Sequence, residues 1–206
     1  MSTNDFRKAS LAAGAVAMMT GTAQAARKNR GVNRLIARIK DSDAATRTKA
    51  WQGAGDVGAP AVQPLAIVMT DEDLEVARAA KRAMWKIVRH TGRPGARNAK
   101  MAVVAKLCGL LGADQPVSVR REVVWMLSEI GGLRAIRPLA ELLSDKHLRE
   151  DARCALERIP AERALQALKA GFEVAPEDFK PSLAQSLRKR GVKVEGYPCV
   201  KLVPRK

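Results

Sequence analysis

A nine-residue pattern that recurs along the chain constrains its fold more than any other feature. The pattern carries Leu at its third position and occurs four times: NRLIARIKD at 33–41, QPLAIVMTD at 63–71, AKLCGLLGA at 105–113 and RPLAELLSD at 137–145. Successive copies are 30, 42 and 32 residues apart. A repeat of about thirty residues with one insertion, near the sequence HTGRPG, indicates an array of similar structural units.

A second segment with helical periodicity follows three of these copies. These segments are TRTKAWQGAGDVG from Thr46, VRREVVWMLSEIG from Val119 and LREDARCALERIP from Leu148. A fifth, more divergent unit runs from Pro160 to Gly191. Each unit is therefore predicted to be a pair of short helices. Because neither helix can bury its apolar face within its own unit, the units must stack on one another.

The predicted turns contain residues that end helices: Gly58-Ala59-Pro60, Gly92 to Gly95, Gly131-Gly132 and Pro160. Apolar residues make up 47% of the chain but aromatic residues only 3%, so the core must consist mainly of Ala, Leu, Val and Ile. That composition favours closely packed helices over a β-sandwich. The predicted fold is all-α, an α-solenoid of about five helical hairpins.

The combined pattern D-x-D…V-R-x-x-A…L-x-x-I-G…A-I-x-P-L-x-x-L-L-x-D resembles the short HEAT repeat of the phycobilisome-lyase-like class, over residues 32–190. The resemblance implies a right-handed α-solenoid in which the second helix of each pair lines a concave, ligand-binding face. It says little about function, since the class includes scaffolds, chromophore lyase subunits and, more distantly, DNA glycosylases. We expect a signal peptide at 1–25, a repeat domain at 26–195 and a basic tail at 196–206.

The first residues show the order of features found in secretory signal peptides. Arg7 and Lys8 precede a small apolar run that ends at Met19, and Ala23-Gln24-Ala25 follows as a cleavage signal. We therefore expect export to the periplasm or the extracellular space; a disordered or helical extension is the alternative. No later segment approaches the ~18 consecutive apolar residues of a transmembrane helix.

The chain is strongly basic, with 37 Lys and Arg against 21 Asp and Glu and a net charge of +16. Residues 1–25 contribute only Arg7, Lys8 and Asp5 to this balance, so the excess belongs to the mature chain that begins at Ala26. Such a charge favours polyanionic partners, which include acidic proteins, acidic polymers, anionic lipid and nucleic acid.

The positive charge is concentrated around one predicted helix. The segment 76–113 contains nine Lys or Arg and no Asp or Glu. At about 100° per residue, one side of the helix is apolar: Val76, Ala80, Ala83, Met84 and Ile87. Five cations share the opposite side, with Trp85 among them: Arg78, Lys81, Arg82, Lys86 and Arg89. A solvated helix face normally mixes signs, because ion pairs at i,i+4 stabilise it. We therefore predict a surface that binds polyanions, with an ordinary solvated face as the alternative.

Trp125 and Arg121 are predicted to extend this surface from the next second helix. Stacking on bases or sugars, or contact with an Arg guanidinium, would explain Trp85 and Trp125 at exposed positions. The alternative is partial burial of each Trp against the next repeat. Trp51 lies nearer the apolar edge of its helix and is predicted to belong to the core.

Three arginines occupy equivalent repeat positions and follow acidic residues: Arg47 after Asp41 and Asp43, Arg120 after Asp114, and Arg149 after Asp145. These pairs resemble the Asp–Arg ladder that ties neighbouring loops together in HEAT repeats. We predict a structural role for them.

No catalytic or cofactor-binding arrangement is evident in the sequence. Cys108 and Cys154 are predicted to be buried thiols and Cys199 an exposed one, since none has metal-ligand spacing. His90 and His147 are isolated, and neither a glycine-rich phosphate loop nor an H-E-x-x-H motif occurs. We therefore predict a protein that is not an enzyme and binds no metal or cofactor.

The leading hypothesis is an exported scaffold whose basic groove binds an anionic partner, either an acidic protein or an acidic polymer. Nucleic-acid binding is the main alternative, because phosphate contacts would use the same cations. It includes the HEAT-like DNA glycosylases, although the catalytic Asp of that family has no counterpart here. A lyase or chaperone subunit for a tetrapyrrole protein is the third hypothesis, implied only by the repeat class.

Overall fold

The computed structural model describes residues 26–27 and 29–198, and these contain ten α-helices and no β-strand. The described residues of helix α1 are 26–27 and 29–39. The others are α2 (Ala44–Gln52), α3 (Val62–Val68), α4 (Leu74–Thr91), α5 (Arg97–Cys108), α6 (Val117–Ile130), α7 (Gly132–Glu141), α8 (Arg149–Arg158), α9 (Glu162–Val174) and α10 (Lys180–Lys189). The all-α prediction is confirmed. The predicted signal peptide, Cys199 and the end of the basic tail lie outside the described residues.

The helices form two compact units, Met1–Met84 and Trp85–Lys206, and helix α4 begins in the first and ends in the second. Unit one contains the helix pair α1–α2, helix α3 and the first part of its partner α4. Unit two contains α5–α6, α7–α8 and α9–α10, which match the predicted hairpins. The described part of the chain therefore holds five helical pairs, as the repeats indicate.

The core of unit one consists of small and branched apolar side chains. Leu35, Ile39, Leu65 and Ala80 are fully or almost fully buried. Asp43 caps the N-terminus of α2, where its carboxylate accepts hydrogen bonds from the backbone N–H groups of the first turn. Such a cap satisfies donors that have no partner within the helix.

Unit two is a stack of hairpins with the layering of an α-solenoid. The first helices α5, α7 and α9 pack in one row and the second helices α6, α8 and α10 in another. The buried side chains are mainly Ala, Leu, Val and Ile, as the composition predicts, and Phe179 is the only buried aromatic residue of the described part. No described helix is both long enough and apolar enough to cross a bilayer.

The predicted turns lie between the helices. Gly58, Gly95 and Gly132 have φ values of 67°, 80° and 56°, a region that favours glycine. Gly131 is required for a different reason. It lies at the junction of α6 and α7, where the neighbouring atoms leave no space for a side chain. A Cβ at Gly131 would overlap the Ala135 side chain and lie 2.5 Å from the Leu127 carbonyl oxygen.

Candidate binding surface

Helix α4 has the two faces that its sequence predicts. The apolar residues are buried: Val76, Ala80, Ala83, Met84 and Ile87. The cations are exposed: Arg78, Lys81, Arg82, Lys86 and Arg89. We call these five cations the basic face of α4. Its residues belong to unit one up to Arg82 and to unit two from Lys86 onward.

In unit one, two cations of the basic face have partners within the protein. Arg78 forms an ion pair with Glu75, one turn earlier, with 2.6 Å between Nη1 and Oε1. The Arg82 guanidinium carbon lies 6.0 Å from the centroid of the Trp51 ring, within the range of a cation–π contact. Trp51 is half-buried, so it lies at the edge of the core, with Arg82 over its ring.

In unit two, Trp85 is half-buried between the basic face and helix α6. Its indole Nε1 donates to Glu122 Oε2 at 3.1 Å. The Arg89 guanidinium carbon lies 5.2 Å from the centroid of the same ring. Both the polar edge and one face of the indole therefore have partners inside unit two.

Trp125 makes the corresponding contact from α6 to α8. Its Nε1 donates to Asp151 Oδ1 at 3.0 Å, and Arg121 Nε donates to the other oxygen of the same carboxylate, also at 3.0 Å. A second Arg121 nitrogen donates to the His147 carbonyl at 2.9 Å. These contacts agree with the alternative of partial burial against the next repeat for both tryptophans. Tryptophan and arginine here connect successive second helices.

The arginines of the predicted ladder reach forward along the chain. Arg120 pairs with Asp145 at 2.9 Å, and Arg149 pairs with Asp178 at 2.5 Å. Each Asp belongs to the loop that precedes the next second helix, whereas the sequence paired each Arg with an acidic residue before its own helix. Arg47 instead donates to the backbone carbonyls of Asp41 and Ser42.

The ladder carboxylates have lowered pKa values. Burial acts to raise the pKa of Asp145, but a hydrogen bond from the His147 N–H and the positive charge of Arg120 outweigh it, so the pKa lies below its ordinary value. The hydrogen bond from Arg149 lowers the pKa of Asp178. Both carboxylates are therefore charged at neutral pH.

Sequence reasoning missed a polar cluster between α8 and α10. Glu157 accepts hydrogen bonds from Ser186 Oγ at 2.7 Å and from Lys189 Nζ at 2.6 Å, while Arg153 donates to Ser186 at 2.6 Å. Ser186 is fully buried. Its partners are about 30 residues away along the chain, and no local pattern marks a serine as part of such a cluster.

Neither cysteine in the described part has the character of a nucleophile. Cys108 and Cys154 are free and half-buried, and burial raises the pKa of both thiols, which keeps them protonated at neutral pH. The described residues contain no cluster of three or more His, Cys, Asp or Glu side chains that could hold a metal ion. Every buried polar side-chain atom of the described residues has a hydrogen-bond partner.

Stacked helical pairs define the structural class, an α-helical repeat protein. Residues 119–145, which span most of α6, all of α7 and the following turn, match the family model for the PBS lyase HEAT-like repeat. The predicted HEAT-like character is therefore confirmed, with its most direct support in the middle of unit two.

Solved structures similar to this chain include engineered proteins. One is a designed armadillo repeat protein in complex with the peptide (KR)4, which is 18% identical over 75% of this chain and 80% of its own, with a TM-score of 0.42. Another is an engineered protein from a structural genomics consortium, 22% identical over 77% of this chain and 78% of its own, with a TM-score of 0.40. No curated protein matches the chain.

Proposed function

We propose that this protein is a non-enzymatic HEAT-like scaffold that binds an anionic protein or acidic polymer through the basic face of α4. The observation that carries the proposal is the charge of segment 76–113, which has nine Lys or Arg and no Asp or Glu. The cations of α4 lie opposite its buried side, so they face solvent.

Several cations on one helix face cost stability, because like charges repel. Lys86 illustrates the point, since no carboxylate of the described residues lies within ion-pair distance of it. A bound polyanion would remove this repulsion. The proposal rests on charge and not on stacking, because both tryptophans are half-buried and Arg89 already lies over the Trp85 ring.

The direct test neutralises the basic face and measures binding to polyglutamate, heparin and duplex DNA across a salt series. The variant is Arg78→Gln, Lys81→Gln and Lys86→Gln, which leaves the Trp85–Arg89 contact intact. Each lost charge contact is worth about 0.5 kcal/mol, so polyglutamate affinity should fall about tenfold at low salt. The matched control, Arg158→Gln, Arg163→Gln and Lys193→Gln, removes the same charge from exposed positions elsewhere.

The two variants separate a defined surface from generic charge. An equal loss of binding in both would show that only net charge matters and would contradict the proposal. A preference for DNA that persists near physiological salt would favour the nucleic-acid alternative, in which several phosphates are contacted and affinity depends steeply on salt.

We also propose that the protein is exported after cleavage behind Ala25. The proposal rests on the order of Arg7-Lys8, the apolar run and Ala23-Gln24-Ala25 in the sequence. N-terminal sequencing of the protein from its own cells tests this directly. A mature chain that begins at Ala26 supports export, and one that retains Met1 or Ser2 contradicts it.

A further inference from the structure

A groove in unit two lies between helices α5 and α7 and is separate from the basic face of α4. Its volume is about 410 Å³. Ligand sites span roughly 300–1,000 Å³, so this groove is at the small end of the range. Its size suits one or two large side chains.

The floor of the groove is apolar and partly exposed to solvent. Val104 and Ile130 are buried and form the base. Met101 and Leu133 stand at the sides and retain 38% and 62% of their exposure. Two large apolar side chains that flank one groove form a patch that a partner's apolar side chain would cover.

The rim of the groove carries charge of one sign. Arg97 and Lys100 lie one turn apart on α5, and Arg134 lies in the first turn of α7. No Asp or Glu lines the groove, and no carboxylate of the described residues forms an ion pair with these three cations. An apolar floor inside a wholly basic rim complements a ligand that is apolar at its centre and acidic around it.

We propose that this groove docks an acidic amphipathic peptide segment of a partner protein, with one or two large apolar side chains on the floor and carboxylates on the rim. The helix-in-groove mode of recognition uses the same division between apolar anchors and a polar surround. This goes beyond the proposed binding of polyanions at α4, because the groove selects for an apolar anchor that polyglutamate or heparin lacks.

Charge argues against other occupants. Residues 199–206 contain Lys201, Arg205 and Lys206 but no acidic residue, so this end of the chain does not complement the rim. The first 25 residues carry two cations and Asp5 alone as an acid. A second copy of the chain, at net charge +16, would be repelled at long range.

The experiment is a selection of displayed random dodecapeptides on the full chain, with an excess of the Leu133→Glu variant as competitor. Glu at the start of α7 is compatible with the helix dipole, so this variant should fold. The expected peptides combine Leu, Ile, Met or Phe with nearby Asp or Glu. Failure to enrich peptides, or enrichment of neutral or basic ones, would overturn the proposal.

Binding constants of the selected peptides then locate the site. Leu133→Glu and the pair Arg97→Gln, Arg134→Gln should each weaken binding at least about tenfold, as expected when a central anchor or a charged rim is lost. Two controls should bind as wild type: Val174→Glu, which alters an exposed Val on α9, and the pair Arg158→Gln, Arg163→Gln. Equal losses in the controls would contradict a defined groove.

Two further readouts separate this proposal from neighbouring ones. The α4 variant Arg78→Gln, Lys81→Gln, Lys86→Gln should bind the selected peptides normally, so failure at α4 and failure at the groove are distinguishable. Sedimentation of the wild type and of Leu133→Glu tests self-association. A wild-type dimer that Leu133→Glu dissociates would identify a second copy as the occupant and overturn the proposal.

Discussion

Arg120 of α6 and Asp145 in the loop before α8 form an ion pair between successive hairpins, with 2.9 Å between Nη2 and Oδ2. The Arg120 side chain is only 9% exposed, and its Nε also donates to the Leu111 carbonyl at 3.0 Å. One guanidinium therefore joins the loop before its own helix to the loop before the next second helix. Arg149 and Asp178 repeat the arrangement one hairpin later.

Arg120→Met should lower the free energy of unfolding by about 1–3 kcal/mol, because the Leu111 carbonyl and the Asp145 carboxylate lose a charged donor. Arg120→Lys should recover only part of this, since one ammonium group cannot reproduce the guanidinium fork. Urea unfolding measures both. As a control, Arg137→Met removes an ion pair whose arginine is 91% exposed, and the expected cost is under about 0.5 kcal/mol. Equal costs for Arg120→Met and Arg137→Met would contradict the assignment.

The protein should lose stability as the pH falls below about 5, because several carboxylates have lowered pKa values in the folded state. Asp145 and Asp178 lie below their ordinary value of 3.8. The folded state then binds fewer protons than the unfolded state over this range. The stabilisation is complete above the unfolded pKa and disappears as the pH passes down through the folded pKa.

The check is the urea midpoint measured between pH 7 and pH 3 for the wild type and for Asp145→Asn. The variant should be less stable at pH 7, and the difference should shrink as the pH falls, because protonation of the wild-type carboxyl removes the same charge. A constant difference across the whole range would show that the charge of Asp145 is not the cause.

Glu157→Ala should destabilise unit two by about 1–3 kcal/mol, because buried Ser186 and the largely buried Arg153 lose an acceptor. Burial acts to raise the pKa of Glu157, but hydrogen bonds from Lys189 and Ser186 outweigh it, so the pKa is lowered and the charged form is the stabilised one. The matched control is Glu173→Ala at an exposed position on α9. Thermal unfolding by circular dichroism compares the two, and a similar change in Tm would disprove a special role for Glu157.

Gly131→Ala should destabilise the junction of α6 and α7 by about 1–3 kcal/mol, because the added Cβ meets the Leu127 carbonyl oxygen at 2.5 Å. Gly109→Ala provides the contrast. Its nearest atom is 3.5 Å away, and Gly109 has a helical φ of −67°, so alanine fits without strain. That variant should be neutral or stabilising by up to about 1 kcal/mol. Urea midpoints in the opposite order would contradict this account of the junction.

Trp125→Phe should lower stability by about 0.5–1.5 kcal/mol, because the hydrogen bond to Asp151 is lost while the aromatic packing is kept. If Trp125 connects α6 to α8, polyglutamate binding should not change in this variant. Titration of wild type and variant at the same salt concentration gives the comparison. A loss of affinity without a loss of stability would instead identify Trp125 as a ligand contact.

The repeat pattern and helical periodicity determined the class of fold, the number of hairpins and the orientation of α4. Met84 and Ile87 lie on the buried side, and Arg78 and Lys86 on the exposed side, as a period of 3.6 residues requires. Such features depend on neighbours within a few residues, so they can be derived from the chain alone.

The tertiary structure decided which side chains are partners. It paired Trp85 with Glu122, Trp125 with Asp151, and Arg120 with an Asp from the next hairpin. It also brought α5 and α7 together around a groove that no local pattern marks. These contacts join residues about 25–40 positions apart, and they depend on the distance and rotation between stacked hairpins. Sequence periodicity fixes the face on which a side chain lies, whereas only the packing of one repeat on the next fixes what that side chain touches.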